Sequence, residues 1–179
     1  ITNRKNEIKV NIAYDTKIIK TFKGHEKDIG RVDLVVFVPD LLELDLKTSY
    51  GVINIKEIKN DVVLKSQSGK IQLSSSGAVK INTVSGNIYV NLMRPNWDNK
   101  SVIKTEKGNI ILTFPQISKL DLQALSGENI HTNFKAELSK KRGMYQFFNY
   151  APKNTINLYS TKGFIKLVSV DQNNVEIKP

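Results

Sequence analysis

One ten-residue phrase recurs along the chain: apolar, any, small hydroxyl, any, any, Gly, any, Ile, any, apolar. It runs through Leu46, Thr48, Gly51, Ile53 and Ile55, then through Leu64, Ser66, Gly69, Ile71 and Leu73. It returns at Ile81, Thr83, Gly86, Ile88 and Val90 and at Ile103, Thr105, Gly108, Ile110 and Leu112. A degenerate copy follows at Leu122, Ala124, Gly127 and Ile130, and a last one at Leu158, Ser160, Gly163, Ile165 and Leu167. Each half alternates apolar and polar residues, the period-2 pattern of a half-buried strand. The glycine marks a sharp corner, where positive φ costs other residues more. The glycine spacings are 18, 17, 22, 19 and 36; the last is twice 18 and predicts one copy without its glycine.

Two short strands and a corner cannot bury an apolar face alone, but they can when stacked on neighbouring copies. The pattern therefore predicts an all-β fold, a single-stranded β-helix or solenoid, each copy lying over its predecessor. About seven rungs at the ~4.8 Å strand spacing give a rod of roughly 30 Å. Leu46, Leu64, Ile81, Ile103, Leu122 and Leu158 are expected to form one inward column, and Ile53, Ile71, Ile88, Ile110 and Ile165 a second. A two-sheet sandwich of hairpins is the alternative. A second echo, Val38-Pro39 to Leu46 and Phe114-Pro115 to Leu122, places both prolines at a strand end or corner.

The reading is one domain, 1–179: an N-terminal cap with strands over 1–43, repeat rungs over 44–167, and a C-terminal strand and tail over 168–179. Residues 1–43 lack the phrase but alternate at Ile8–Ile12 and Val32–Val38, around a polar turn at Lys23–Asp28. The 22-residue interval holds a loop from Met93 to Lys100. Ser139–Pro152 joins basic residues to Tyr145, Phe147, Phe148 and Tyr150, as a surface loop or a flap.

Composition agrees with strands, with 20 Ile and 15 Val against 5 Ala. Net charge is +10, but it is spread along the chain and only four residues are Arg, which argues against a nucleic-acid partner. The absence of cysteine removes disulfides and thiolate chemistry. No run is long and apolar enough to suggest a transmembrane segment. Ile1 follows no leader, so a signal is expected to be absent or already removed.

The residue order then resembles a known family. Val38-Pro39, Thr83-Val84-Ser85-Gly86-Asn87-Ile88 and Thr105-Glu106-Lys107-Gly108-Asn109-Ile110 are similar to motifs of the DUF4097 domains. Those are described as adhesins of bacterial cell envelopes, with head-GIN autotransporter adhesin domains as relatives. The resemblance spans about Val32 to Leu167 and implies a β-solenoid in an envelope or extracellular protein, with a secretion or lipoprotein leader upstream. The family often places Asp after the corner glycine; here Val52, Lys70, Asn87, Asn109, Glu128 and Phe164 stand there.

Chemistry is sparse. Glycoside hydrolysis wants two carboxyls about 5–9.5 Å apart, whereas Asp45 and Asp121 are expected in one outward column four rungs apart, roughly 19 Å. His25 and His131 have no further ligands at metal-binding spacing, so neither metal nor cofactor is expected. No phosphate loop, nucleotide fingerprint or nucleophile elbow occurs. The expectation is a noncatalytic adhesion, scaffolding or ligand-contact domain. Its alternatives are a polysaccharide lyase or hydrolase and a self-assembling scaffold like the bactofilins. Contact candidates are Lys47, Lys65 and Lys104 on an outward ladder with Asn82, Gln123 and Tyr159, and the aromatics Trp97, Tyr145, Phe147, Phe148 and Tyr150. The lysines suit an anionic glycan or envelope surface; the aromatics suit a sugar or a protein partner. The same residues also read as a solvated face and as an insertion packed back on the rod.

Overall fold

The computed structural model describes residues 2–4, 7–9, 34–39, 42–116, 120–151 and 153–171. They fall into two units, Ile1–Phe37 and Val38–Pro179. In the first, β1 (Thr2–Arg4) and β2 (Glu7–Lys9) pair antiparallel. The strand expected over Val32–Val38 does not form where it is described. Leu34 to Phe37 are exposed and irregular, because an alternating run becomes a strand only when another edge takes its backbone hydrogen bonds. Most of the expected cap, including the turn at Lys23–Asp28 and His25, lies outside the described residues.

The second unit alternates between two sheets. One receives β3 (Leu44–Tyr50), β5 (Val62–Ser68), β7 (Val79–Ser85), β9 (Ser101–Lys107), β11 (Asp121–Ser126) and β15 (Thr155–Lys162). The other receives β4 (Ile53–Ile58), β6 (Ile71–Ser75), β8 (Ile88–Leu92), β10 (Ile110–Pro115), β12 (Ile130–Thr132) and β16 (Ile165–Val170). All neighbours in these two sets run parallel, as in a β-solenoid, and the hairpin sandwich is excluded for them. Six rungs lie among the described residues, against about seven expected.

Their order differs from the expected one. The final rung, β15 and β16, does not end the stack; it lies between β9/β10 and β11/β12. Among its described residues, the 36-residue interval holds no rung lacking a glycine. It holds an antiparallel hairpin of β13 (Leu138–Lys141) and β14 (Met144–Asn149), which adds to the free edge of β11. Arg142 (φ 50°) and Gly143 (φ 80°) form its turn, both left-handed as a tight two-residue hairpin loop requires.

Inward columns meet between the sheets. Leu46, Leu64, Ile81, Ile103, Leu158 and Ala124 stand in register, and Ile53, Ile71, Ile88, Ile110, Ile165 and Ile130 face them, although Leu46 on the end rung stays 39% exposed. Ala124 replaces the expected Leu122 because β11 is displaced by two positions. Ser126 takes the hydroxyl place beside Ser160, and its Oγ donates to the Gly163 carbonyl at 2.8 Å. The corner from Ser126 to Ile130 is one residue shorter than that from Ser160 to Ile165, and absorbs the difference so that Ile130 still points inward.

Gly51, Gly69, Gly86, Gly108 and Gly163 line up, and from Gly69 onward the backbone of the preceding corner glycine lies against each one. Gly127, expected in that line, instead lies against the Thr161 carbonyl. Beside the line, the Asn87 Oδ1 accepts from the Asn109 N–H at 2.9 Å, and the Asn109 Oδ1 accepts from the Phe164 N–H at 3.0 Å. Two asparagines after the glycine thus tie successive corners together. Asn109→Ala is expected to cost about 1 kcal/mol, a Tm fall of about 2–4 °C. Asn109→Asp keeps the acceptor and should cost less. Thermal melts of the two variants decide; equal losses would remove this role for the side chain.

Candidate functional site

Because strand side chains alternate, the polar residues between the inward columns form ladders on the two outer faces. On the larger sheet, Lys47, Lys65, Asn82, Lys104, Tyr159 and Leu125 stand side by side. The two-residue displacement of β11 puts Leu125 where Gln123 was expected. Lys47 and Lys65 are directly opposite, an arrangement that like charges disfavour. Asp45 lies 3.6 Å from the Lys47 ammonium, both groups more than half exposed, so that pair contributes about 0–1 kcal/mol. Lys65 and Lys104 form no ion pair among the described residues. A shallow groove of about 390 Å³ runs here, lined by Lys47, Lys65, Gln67, Asn82 and Val84 among others.

The aromatic candidates separate. Trp97 is 6% exposed; its backbone N–H donates to Asn154 Oδ1 at 3.0 Å and its Nε1 to the Thr155 carbonyl at 3.4 Å. The expected loop between β8 and β9 is thereby pinned to the start of β15. Phe147 is 7% exposed and meets Phe134 edge-on at 6.0 Å; Phe134 meets Phe114 at 5.9 Å. Burial takes Trp97 and Phe147 out of any contact surface. Tyr145 is half-buried, with the Lys140 ammonium 4.6 Å from its ring centre. Phe148 and Tyr150 point outward, 39% and 85% exposed, and stack on each other at 6.5 Å.

The outer face of the smaller sheet carries a second groove, of about 480 Å³. Period 2 places Asn54, Gln72, Tyr89, Ile111 and Lys166 in one column, and the register adds His131. Beside it run Ser74, Asn91 and Thr113. One wall comes from a bulge in β4, where the register shifts between Ile55 and Ile58 and Glu57 adopts φ 60°. A left-handed backbone costs a residue with a Cβ about 1–2 kcal/mol. Glu57 was not singled out in the sequence, yet a signal existed: the first glycine interval is 18 where the next is 17, and the extra residue is the bulge.

Acid–base groups do not converge at the positions considered. Asp45 and Asp121 do not share a column: Asp45 pairs with Val63, whereas Asp121 pairs with Thr155 and accepts from its hydroxyl at 3.0 Å. Five rung steps separate β3 from β11, roughly 24 Å. His131 meets Phe164 edge-on at 5.6 Å. Among the described residues no group of three or more His, Asp or Glu could hold a metal, and no helix is long and apolar enough to cross a membrane.

These features define an all-β protein of stacked parallel strands with polar ladders on both faces. Residues 2–168 match the Toastrack DUF4097 family model, and the chain belongs to that family. No curated protein and no solved structure matches it.

Proposed function

We propose that the domain is a noncatalytic β-solenoid of the cell envelope, adhesin-like in holding an anionic envelope polymer or surface against its larger sheet. The observation that supports this is the column of Lys47, Lys65 and Lys104 on an exposed strand face, with Lys65 directly beside Lys47. Parallel strands hold the lysines one and two rungs apart, about 4.8 and 9.6 Å along the stack, so a repeating anion meets several at once. Each lysine near an anionic surface is worth about 1 kcal/mol, and three together roughly a hundredfold in affinity.

The test is sedimentation of the protein with polygalacturonate and with poly(glycerol phosphate) at low and high salt. Wild type should bind in a salt-sensitive manner, and Lys47→Glu/Lys65→Glu/Lys104→Glu should bind at least about tenfold more weakly. Salt-independent binding, or a triple variant as good as wild type, would sink the lysine reading. Progressive shortening of polygalacturonate would favour the lyase or hydrolase alternative. Filament growth through both ends, as in a bactofilin-like scaffold, is opposed by the hairpin of β13 and β14, which already occupies one edge of the larger sheet.

A further inference from the structure

We infer that the groove on the smaller sheet is a separate site for an uncharged oligosaccharide, lying across β4, β6, β8 and β10. The inference rests on the reading of the domain as a contact surface, though not on its lysine face.

The groove's volume of about 480 Å³ is that of a small-ligand cleft, which runs about 300–1,000 Å³. Its chemistry is mixed in a particular way. Gln72 and Asn91 each offer both a donor and an acceptor, and Thr113 adds a hydroxyl that can do either. Sugar hydroxyls are likewise both donors and acceptors, so they match such a row in either polarity. Gln72 and Tyr89 stand directly opposite on adjacent strands, as do Asn91 and Thr113. The polar groups therefore repeat at the strand spacing, about 4.8 Å, along the direction an extended chain would follow.

Tyr89 supplies an aromatic ring in the middle of the floor, an apolar body with a polar tip. Lys70 places its ammonium 4.9 Å from the ring centre. Lys70 is exposed and can swing aside at small cost when a ligand stacks on the ring. The charged groups of the lining are Lys56 and Glu57, one of each sign, both on the bulged lip. The lining itself is thus charge-balanced, with Lys70 and Lys166 as cations at its margin, whereas the polymer proposed for the other sheet meets a column of three lysines.

The lip argues that the groove is built rather than incidental. The same rung could close with one residue fewer, as the next rung does, and would then need no left-handed Glu57. Bulges recur where a sheet re-aims side chains beside a site, and strained backbone recurs at ligand clamps. The extra residue raises Lys56 and Glu57 beside the amide row and gives it a wall.

The experiment is an NMR titration of the whole chain with cellohexaose, laminarihexaose and mannohexaose, using galacturonate oligomers as the charged comparison. At least one neutral hexasaccharide should bind saturably and shift the amide resonances of Tyr89 and Asn91. Tyr89→Ala and Asn91→Ala, both on an outer face, should each weaken that binding by about tenfold or more with the fold retained in the spectra. Lys65→Glu should leave it unchanged. No saturable binding of any neutral hexasaccharide, or undiminished binding by both variants, overturns the inference. Neutral binding alongside no salt-sensitive binding of anionic polymers would sink the lysine reading and leave this one standing.

Discussion

A chain ended at Tyr150 is expected to lose its cooperative thermal transition, not merely to shorten its stack. The missing strands, β15 and β16, carry Ile156, Leu158, Ile165 and Leu167, all fully buried. Each such side chain contributes about 1.5–3 kcal/mol, so the four are worth roughly 6–12, as much as the whole 5–15 kcal/mol of a typical domain. Position makes the loss worse. In a stack laid down in chain order, removing the last rung exposes one neighbour. Here it leaves a slot between β9/β10 and β11/β12, so backbone ladders are lost on both sides. Trp97 also loses its partners at Asn154 and Thr155. Far-UV circular dichroism on heating is the measurement. A truncated chain melting within a few degrees of the intact one would contradict the interleaved order. In the intact chain, hydrogen exchange should find β15 among the slowest segments, although it is among the last made.

The sequence reveals what packs together better than it reveals the order of packing. From Leu46 to Leu112 the phrase recurs intact, and the strands, corners and inward columns fall where it places them. Similarity of copies, however, reports only that each rung needs a neighbour of its own shape. Any two copies satisfy that need, so β15/β16 can enter the middle of the stack without a change of pattern. The copy at Leu122 misleads for a local reason. Gly127 lies five residues after an apolar residue, as the corner glycines do, but Ser126 is the residue that bonds to the neighbouring corner. The candidate surfaces are legible to a similar degree. Alternation alone gives the lysine ladder and the column through Tyr89, because facing outward needs no long-range knowledge. The wall of the groove needs the bulge, whose trace is a single extra residue. The buried fate of Trp97 depends on a loop meeting β15, more than fifty residues later, which no local pattern encodes.

Replacing Gly86 by alanine is expected to cost about 4 kcal/mol, while the same change at Gly51 should cost only about 1–2. Both glycines have positive φ, 140° and 121°, in a region that residues with a Cβ enter at a penalty of about 1–3 kcal/mol. They differ in what lies beside them. A Cβ at Gly86 would run into the carbonyl of Gly69, whereas one at Gly51 meets nothing within 4 Å. The obstructing atom is backbone, held by its own ladder: the Gly69 N–H donates to the Ser85 carbonyl, and the Gly86 N–H to that of Lys107. Relief therefore requires parting two rungs, and the disturbance reaches the fully buried Ile71 and Ile88 just past the two corners. At about 2–4 °C per kcal/mol for a chain of this size, Gly86→Ala should lower Tm by about 8–16 °C and Gly51→Ala by about 2–8 °C. Paired thermal and urea melts separate the conformational penalty, common to both sites, from the contact penalty, specific to the interior of the stack. Losses within about 1 kcal/mol of each other would mean that the corners do not press on one another, and that the spacing of the glycines reflects turn geometry alone.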